Sequence, residues 1–314
     1  MRAVALTKTW RGEELLDAAI ESIYPVVDKI VFVHSDVSWR GERGNTVRST
    51  LDRWARARDR DAKVVSLELD TTSQDQQYEA GRRWCERHLD YDYLMLWDTD
   101  EAYFTDELRA GMDWVDNNPG ANAYSCSMYS YVRSPFFRVS QIDGCHPVIF
   151  VKRGISISGP RGCGVWPRKE IPGCTMHHFT GIRKNLELVI EKHATSSHVE
   201  HEPLHDVEMW VQHGWNRLPY ARNFHPNSRY SAAWPSCTVV TMDDLPPTMR
   251  DKPLVQAYRD YDYTLAIGRT LVPKDNPYRL PMDFGPGHPD WKVPSKRNAY
   301  NKLMQETGYG ETAG

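Results

Sequence analysis

A chain of 314 residues, 40% hydrophobic and 26% charged, is long enough to bury a sizeable core in one large domain or two modest ones. Its formal net charge of -3 excludes a polycation that coats nucleic acid without specificity. No apolar run approaches the roughly 20 residues of a membrane span, and Met1-Arg-Ala-Val-Ala-Leu6 turns polar too soon for a secretory signal. Six irregularly spaced cysteines (Cys85, Cys126, Cys145, Cys163, Cys174, Cys237) read as free thiols, so a cytoplasmic protein is expected.

In chain order, the first element is a short apolar strand at Val4–Thr7. Glu13–Tyr24 follows with Leu15, Leu16, Ala19, Ile20 and Ile23 on one helical face, and stops before Pro25. Lys29–Val33 is a second strand, closed by His34-Ser35-Asp36. Thr46–Arg58 is predicted helical with Val47, Leu51 and Trp54 turned inward. Val64–Leu67 is a third strand, and Asp75–His88 a helix with Tyr78, Trp84 and Cys85 as its apolar positions. Tyr93–Trp97 is the fourth strand. Thr105 is expected to cap a helix that ends near Asn117-Asn118-Pro119-Gly120.

Strands alternating with helices imply an α/β fold, a mainly parallel sheet flanked by helices. Ligands in such sheets bind outside the carboxyl ends of the strands. Thr7, Asp36, Asp70, Asp98 and Asp100 all fall at or just past those ends. From Ala121 to Phe179 the pattern changes to short strand-like pieces, Ala123–Val132 and Pro147–Lys152, broken by Gly-rich turns. Asn185–His193 and Asp206–Leu218 read as helices, and the tail after Leu271 as irregular. The expected division is an α/β core carrying the ligand crevice over 1–180 and a C-terminal mixed or helical extension over 181–314.

The run Tyr93-Leu-Met-Leu-Trp97 leads straight into Asp98-Thr99-Asp100-Glu101. Burying carboxylates without a partner is costly, so three of them at the end of a core strand point to a cation. Hard ions such as Mg²⁺ or Mn²⁺ take one or two carboxylates plus substrate phosphates. A strand reverses side-chain direction at each residue, so Asp98 and Asp100 are expected on one side with Glu101 turned away.

With Val4-Ala-Leu-Thr7 followed by Glu13/Glu14, then Asp28–Asp36, Gln74–Gln77 and Tyr91–Glu101 in this order and spacing, residues 1–180 resemble glycosyltransferases of the GT-A fold. The likeness is to the family 2-like group with an Asp-x-Asp-Glu signature. The resemblance implies a nucleoside-diphosphate sugar as donor, with Thr7 and Asp36 at its nucleoside end and Asp98 by the ribose or the metal. It implies that Asp100 binds Mn²⁺ or Mg²⁺ directly, with His178 as a further ligand and His177 as the fallback. Arg183 and Lys184 follow at once and read either as a clamp on the diphosphate or as a solvated helix start.

The base for an acceptor hydroxyl has no clean counterpart in the family pattern. Asp143, Glu170, Asp206 and Glu208 are candidates, and Glu170 and Asp206 are carried forward. Arginine–aromatic clusters (Tyr129–Arg138, Trp166-Pro-Arg168, and Trp210 through Arg217, Tyr220, Arg222, Phe224, Arg229 and Trp234) read either as core or as an acceptor surface. That surface would take a saccharide, or DNA carrying a hydroxylated base.

Other readings stay open at this point. A zinc site from Cys145-His146, Cys163, Cys174 and His177/His178 has no paired spacing beyond Cys174-x-x-His177. His193, His198, His201, His205 and His213 lack the H-E-x-x-H spacing of a hydrolase. A nucleotidyltransferase would want a Gly-rich loop after the first strand, where Thr7-Lys-Thr-Trp-Arg-Gly12 has one glycine. A binding module without turnover would keep the crevice alone.

Overall fold

The computed structural model describes residues 1–38, 41, 43–44, 47–69, 73–157, 160–183, 186–195, 210–211, 214–215, 218, 221, 223–226 and 233–258. The amino-terminal half alternates as expected: β1 (Ala3–Thr9), α1 (Leu16–Ile23), β2 (Lys29–His34), α2 (Val47–Arg58), β3 (Val64–Glu68), α3 (Gln74–His88) and β4 (Tyr93–Leu96). Then come β5 (Glu101–Ala102), α4 (Thr105–Asn117), β6 (Ala123–Val132), β7 (Phe137–Val139), β8 (Val148–Lys152) and β9 (Arg168–Gly181). α5 (Leu186–Thr195), β10 (Cys237–Val239), α6 (Pro247–Arg250) and α7 (Pro253–Tyr258) complete the described elements.

The strand order is β10-β7-β6-β8-β4-β1-β2-β3, with β9 joining β5 and β6. β1 pairs in parallel with β2 and β4, and β2 with β3. β8 runs against its neighbours β4 and β6, β7 runs against β6 and β10, and β5 runs against β9, while β9 is parallel to β6. The result is a Rossmann-like α/β fold whose mainly parallel sheet is flanked by helices.

Both faces of the sheet are apolar because the strands are covered twice. Ala3, Ala5, Ile30, Phe32, Met95 and Trp97 pack with α1, α2 and α4. Val4, Leu6, Val31, Val33, Leu94 and Leu96 face Tyr78 and Cys85 of α3. Gly81 lets α3 lie close to the sheet: a β-carbon there would stand 2.5 Å from Leu6 Cδ1 and 2.7 Å from Val33 Cγ2.

A further apolar cluster draws from both sides of residue 180. Leu15, Ala18, Tyr131, Phe136 and Phe179 pack with Trp210, Trp215, Phe224, Trp234, Leu245, Met249 and Val255. These tryptophans are core, not surface. Arg217, Tyr220, Arg222 and Arg229, the Asp206–Leu218 helix over most of its length, and the tail after Leu271 lie outside the described residues.

Two local expectations change. Thr105 is the first helical residue rather than the cap, and its hydroxyl donates to the Ser22 carbonyl at 3.1 Å, tying α4 to α1. β9, unforeseen as a strand, carries both histidines of the Cys174–Thr180 segment. All six cysteines are free thiols. Among the described residues no helix is long and apolar enough to cross a membrane.

Candidate functional site

The chain runs from β1 outward to β2 and β3, then returns to place β4 on the other side of β1. The carboxyl ends of β1 and β4 therefore flank the point where the strand order reverses, the place where open α/β sheets form a ligand crevice. Lys8 stands near the end of β1, and Asp98 follows β4 by two residues. Lys8 Nζ donates to Asp98 Oδ1 across that point at 3.1 Å.

β4 stops at Leu96, so the alternation that would have paired Asp98 with Asp100 and turned Glu101 away does not apply. The backbone turns instead: Glu101 N–H donates to the Asp98 carbonyl at 3.1 Å. The fully buried Glu101 carboxylate folds back and accepts the Asp98 N–H at 3.0 Å. Gly12 closes against this turn, where a β-carbon would meet Thr99 Oγ1 at 2.7 Å.

The carboxylates are paired with cations, and Arg161 and Arg183 each serve two of them. Arg161 reaches Asp98 Oδ2 at 3.2 Å, pairs with Glu101, and donates to the Leu96 carbonyl at 3.0 Å. It extends from a turn in which its own φ is 51° and that of Gly162 is 71°, a conformation costing a residue with a β-carbon about 1 kcal/mol. Asp100 Oδ2 accepts from Lys192 Nζ at 2.7 Å and lies 3.4 Å from Arg183. Asp100 Oδ1 faces His178 Nε2 at 3.7 Å. Glu14 completes the set, 4.0 Å from Arg183 Nε.

Ionisation follows from this packing. Burial works against the Asp98 charge, but Lys8 and Arg161 outweigh it and hold its pKa below the usual carboxylate value. Burial opposes the Asp100 charge too, and Lys192, His178 and Arg183 overturn it, leaving that carboxyl well below the ordinary range. Lys8 is pulled down by burial and raised further by Asp98. Lys192 is lowered, because its burial exceeds the attraction of Asp100. Burial drops His178 to about 4 despite Asp100, so its imidazole is a neutral donor at pH 7.

Of the residues read from the sequence, Asp98, Asp100, His178 and Arg183 are brought together here. Neighbouring positions on a strand face opposite ways, and this decides between the two histidines. His177 is buried against Tyr131, Phe104 and Tyr129, with its Nδ1 2.8 Å from the Tyr131 hydroxyl, while His178 faces Asp100. Thr7 is buried in β1 with its hydroxyl on the Lys8 carbonyl. Asp36 lies past β2, 3.6 Å from Arg43.

Glu170 is not at this crevice. It pairs with Ser125 of β6, five positions before the Ser130–His178 pair, hence roughly 17 Å away along the strand. There it accepts from Ser127 Oγ at 3.3 Å and lies 3.0 Å from His146 Nδ1. Trp166 and Arg168 stack at that same end, with Trp166 exposed. Asp206, Lys184, Glu208 and Asp70 lie outside the described residues.

Lys8, Arg161 and Lys192 were not foreseen at the site, and Glu14, part of the family match, carried no assigned role. Only Lys8 carried a signal, a cation in an otherwise buried strand. Arg161 and Lys192 reach the aspartates from 63 and 92 residues away.

Among the described residues no group of three His, Cys, Asp or Glu side chains could hold a metal ion, which counts against the zinc reading as well. Asp100 Oδ1 and His178 Nε2 form a two-donor seat with neutral nitrogen and anionic oxygen. Such a seat fits Mg²⁺ or Mn²⁺ shared with an anionic ligand, the usual way these ions are bound, rather than an ion caged by protein.

Comparisons with known proteins add likeness over part of the fold. No family model and no curated protein matches the chain. Among solved structures, S. aureus TarS 1-349 is similar over 43% of this chain and 40% of its own, at 11% identity and TM-score 0.32. The same protein in complex with UDP-GlcNAc matches at 9% identity over 42% of this chain and 35% of that one, TM-score 0.33. HddC from Yersinia pseudotuberculosis matches at 10% identity over 49% of this chain and 75% of its own, TM-score 0.30. The chain thus spans about two fifths of the TarS fragment it resembles.

Proposed function

We propose that the chain is a glycosyltransferase. It takes a sugar from a nucleoside diphosphate, UDP-linked in the first instance, and transfers it to a hydroxyl of a saccharide or of a hydroxylated base in DNA. The observation that carries this reading is the site at the strand-order reversal. Asp98 and Asp100 sit there among Lys8, Arg161, Arg183 and Lys192, with His178 facing Asp100.

Four cations at one crevice suit a dianionic diphosphate, whose departure needs its developing charge stabilised. The acceptor oxygen bonds to the anomeric carbon as the bond from that carbon to the diphosphate oxygen breaks. The diphosphate keeps the electron pair, and the hydroxyl proton passes to a base. Arg161, fixed on Asp98, Glu101 and the Leu96 carbonyl, presents charge without reorganising, which is where such sites gain most of their effect. Mn²⁺ or Mg²⁺, held by Asp100 and His178, would supply Lewis-acid stabilisation of the leaving diphosphate. Of the two carboxylates read as bases, the proposal keeps Asp206, since Glu170 stands along the sheet from the crevice.

The test is a panel of UDP-, GDP- and TDP-sugars with Mn²⁺ and with saccharide or hydroxymethylated-DNA acceptors. The reading expects release of nucleoside diphosphate from one donor class. Release of sugar 1-phosphate, with the nucleoside monophosphate passed to the acceptor, would assign nucleotidyl transfer instead, and binding without turnover of any donor would leave a binding module.

A further inference from the structure

Asp100 presents two oxygens, and they differ. Oδ2 is saturated by Lys192 at 2.7 Å and Arg183 at 3.4 Å, while Oδ1 faces the His178 imidazole at 3.7 Å. A divalent ion seated on Oδ1 and His178 would stand within a few ångströms of two positive charges. Like charges at that separation in a partly buried site repel strongly. A diphosphate arriving with the ion supplies two negative charges and removes the conflict.

The two cations are not equally free to move. Arg183 is buried, donates to the Ile182 carbonyl at 2.8 Å, and has Glu14 at 4.0 Å on its other edge. Lys192 reaches from α5 with its side chain 29% exposed, against 7% for Arg183. Its other bonds are to the Thr180 carbonyl at 2.6 Å and hydroxyl at 3.2 Å. An ammonium on a flexible four-carbon stem re-aims easily, and its three donors suit a phosphate as well as a carboxylate.

We propose that Lys192 is a stand-in cation. It holds Asp100 until a divalent ion arrives with a nucleoside diphosphate, then passes to a phosphate oxygen, so that ion and nucleotide bind together. This rests on the donor class argued above and adds an order of binding and a positioning residue to it. No bond is made or broken in the exchange. Asp100 trades one cation for another, and Lys192 trades a carboxylate for a phosphate.

The experiment measures Mn²⁺ binding by the loss of the free-ion spin-resonance signal, with and without UDP, for the full chain and for Lys192→Met. Wild type is expected to bind Mn²⁺ weakly alone and at least about tenfold more tightly with UDP, the effect of roughly one unit of pKa-scale coupling. Lys192→Met is expected to bind Mn²⁺ alone about tenfold more tightly than wild type, with the UDP dependence reduced. Lys192→Arg, which keeps the charge, should bind like wild type. A gain in affinity does not arise from misfolding, and Lys192→Gln, which can still donate to Thr180, gives a second reading if the methionine variant is unstable.

If Lys192→Met and Lys192→Gln bind Mn²⁺ no better than wild type, the stand-in role is overturned. It is also overturned if wild type binds Mn²⁺ equally with and without UDP. If the variants gain Mn²⁺ affinity while UDP binds to none of the proteins, the competition for Asp100 holds and the nucleotide reading falls.

Discussion

Glu101→Gln tests whether the carboxylate turn is built as described. Glu101 is fully buried, accepts the Asp98 N–H at 3.0 Å, and faces Arg161, whose side chain is 19% exposed. The amide keeps the shape and one acceptor but removes the charge. Breaking a buried ion pair outright costs roughly 3–5 kcal/mol. Arg161 retains Asp98 Oδ2 at 3.2 Å and the Leu96 carbonyl at 3.0 Å, so the expected loss is smaller, about 2–3 kcal/mol. Urea denaturation of Glu101→Gln, Arg161→Met and the double variant measures it, with a coupling energy of about 1 kcal/mol or more expected. A single-variant loss below about 0.5 kcal/mol, the size of an exposed pair, would refute the reasoning.

Other outcomes follow from the packing. Gly81→Ala gains about 1 kcal/mol of helix preference but presses Leu6 and Val33, both fully buried. Overpacking costs roughly 1–3 kcal/mol, so net destabilisation is expected in urea, and a more stable variant would contradict the close approach of α3. Glu79 is held at about 2 chiefly by its hydrogen bond to Arg82, with Arg83 helping. A depressed pKa gives stability that is present above the unfolded value and lost as pH falls toward the folded one. Glu79→Gln should therefore cost about 0.5–1 kcal/mol at pH 7, and the gap should narrow below pH 4.5. A gap unchanged at low pH would mean that the ion pairs contribute nothing.

Much of the fold was legible because β1 to β4 and α1 to α4 are set by local periodicity: short apolar runs and one-sided helices separated by polar turns. β9 was not, since Pro172 and Gly173 interrupt it and exposed residues alternate irregularly with buried ones along its length. Its strand character comes from pairing with β6 and β5, which no window of sequence contains. The site divides in the same way. Asp98, Asp100 and His178 were readable as residue types after a core strand and in a histidine pair. Their orientation was not, because the strand ends at Leu96 and the turn that follows is stabilised by Arg161, sixty positions beyond Glu101. The tryptophans after residue 180 read equally as core or as a stacking surface, and the packing of Leu15, Tyr131 and Phe136 on them makes them core.

In the proposed function Asp100, with its cations, forms a diphosphate site that shares a divalent ion with its ligand. Calorimetric titration of UDP into wild type and Asp100→Asn, each in Mn²⁺ and in chelator, tests it directly. Binding in wild type with Mn²⁺ that weakens about tenfold or more in chelator and in the variant is predicted. Equal affinity under all four conditions, or none under any, would contradict it.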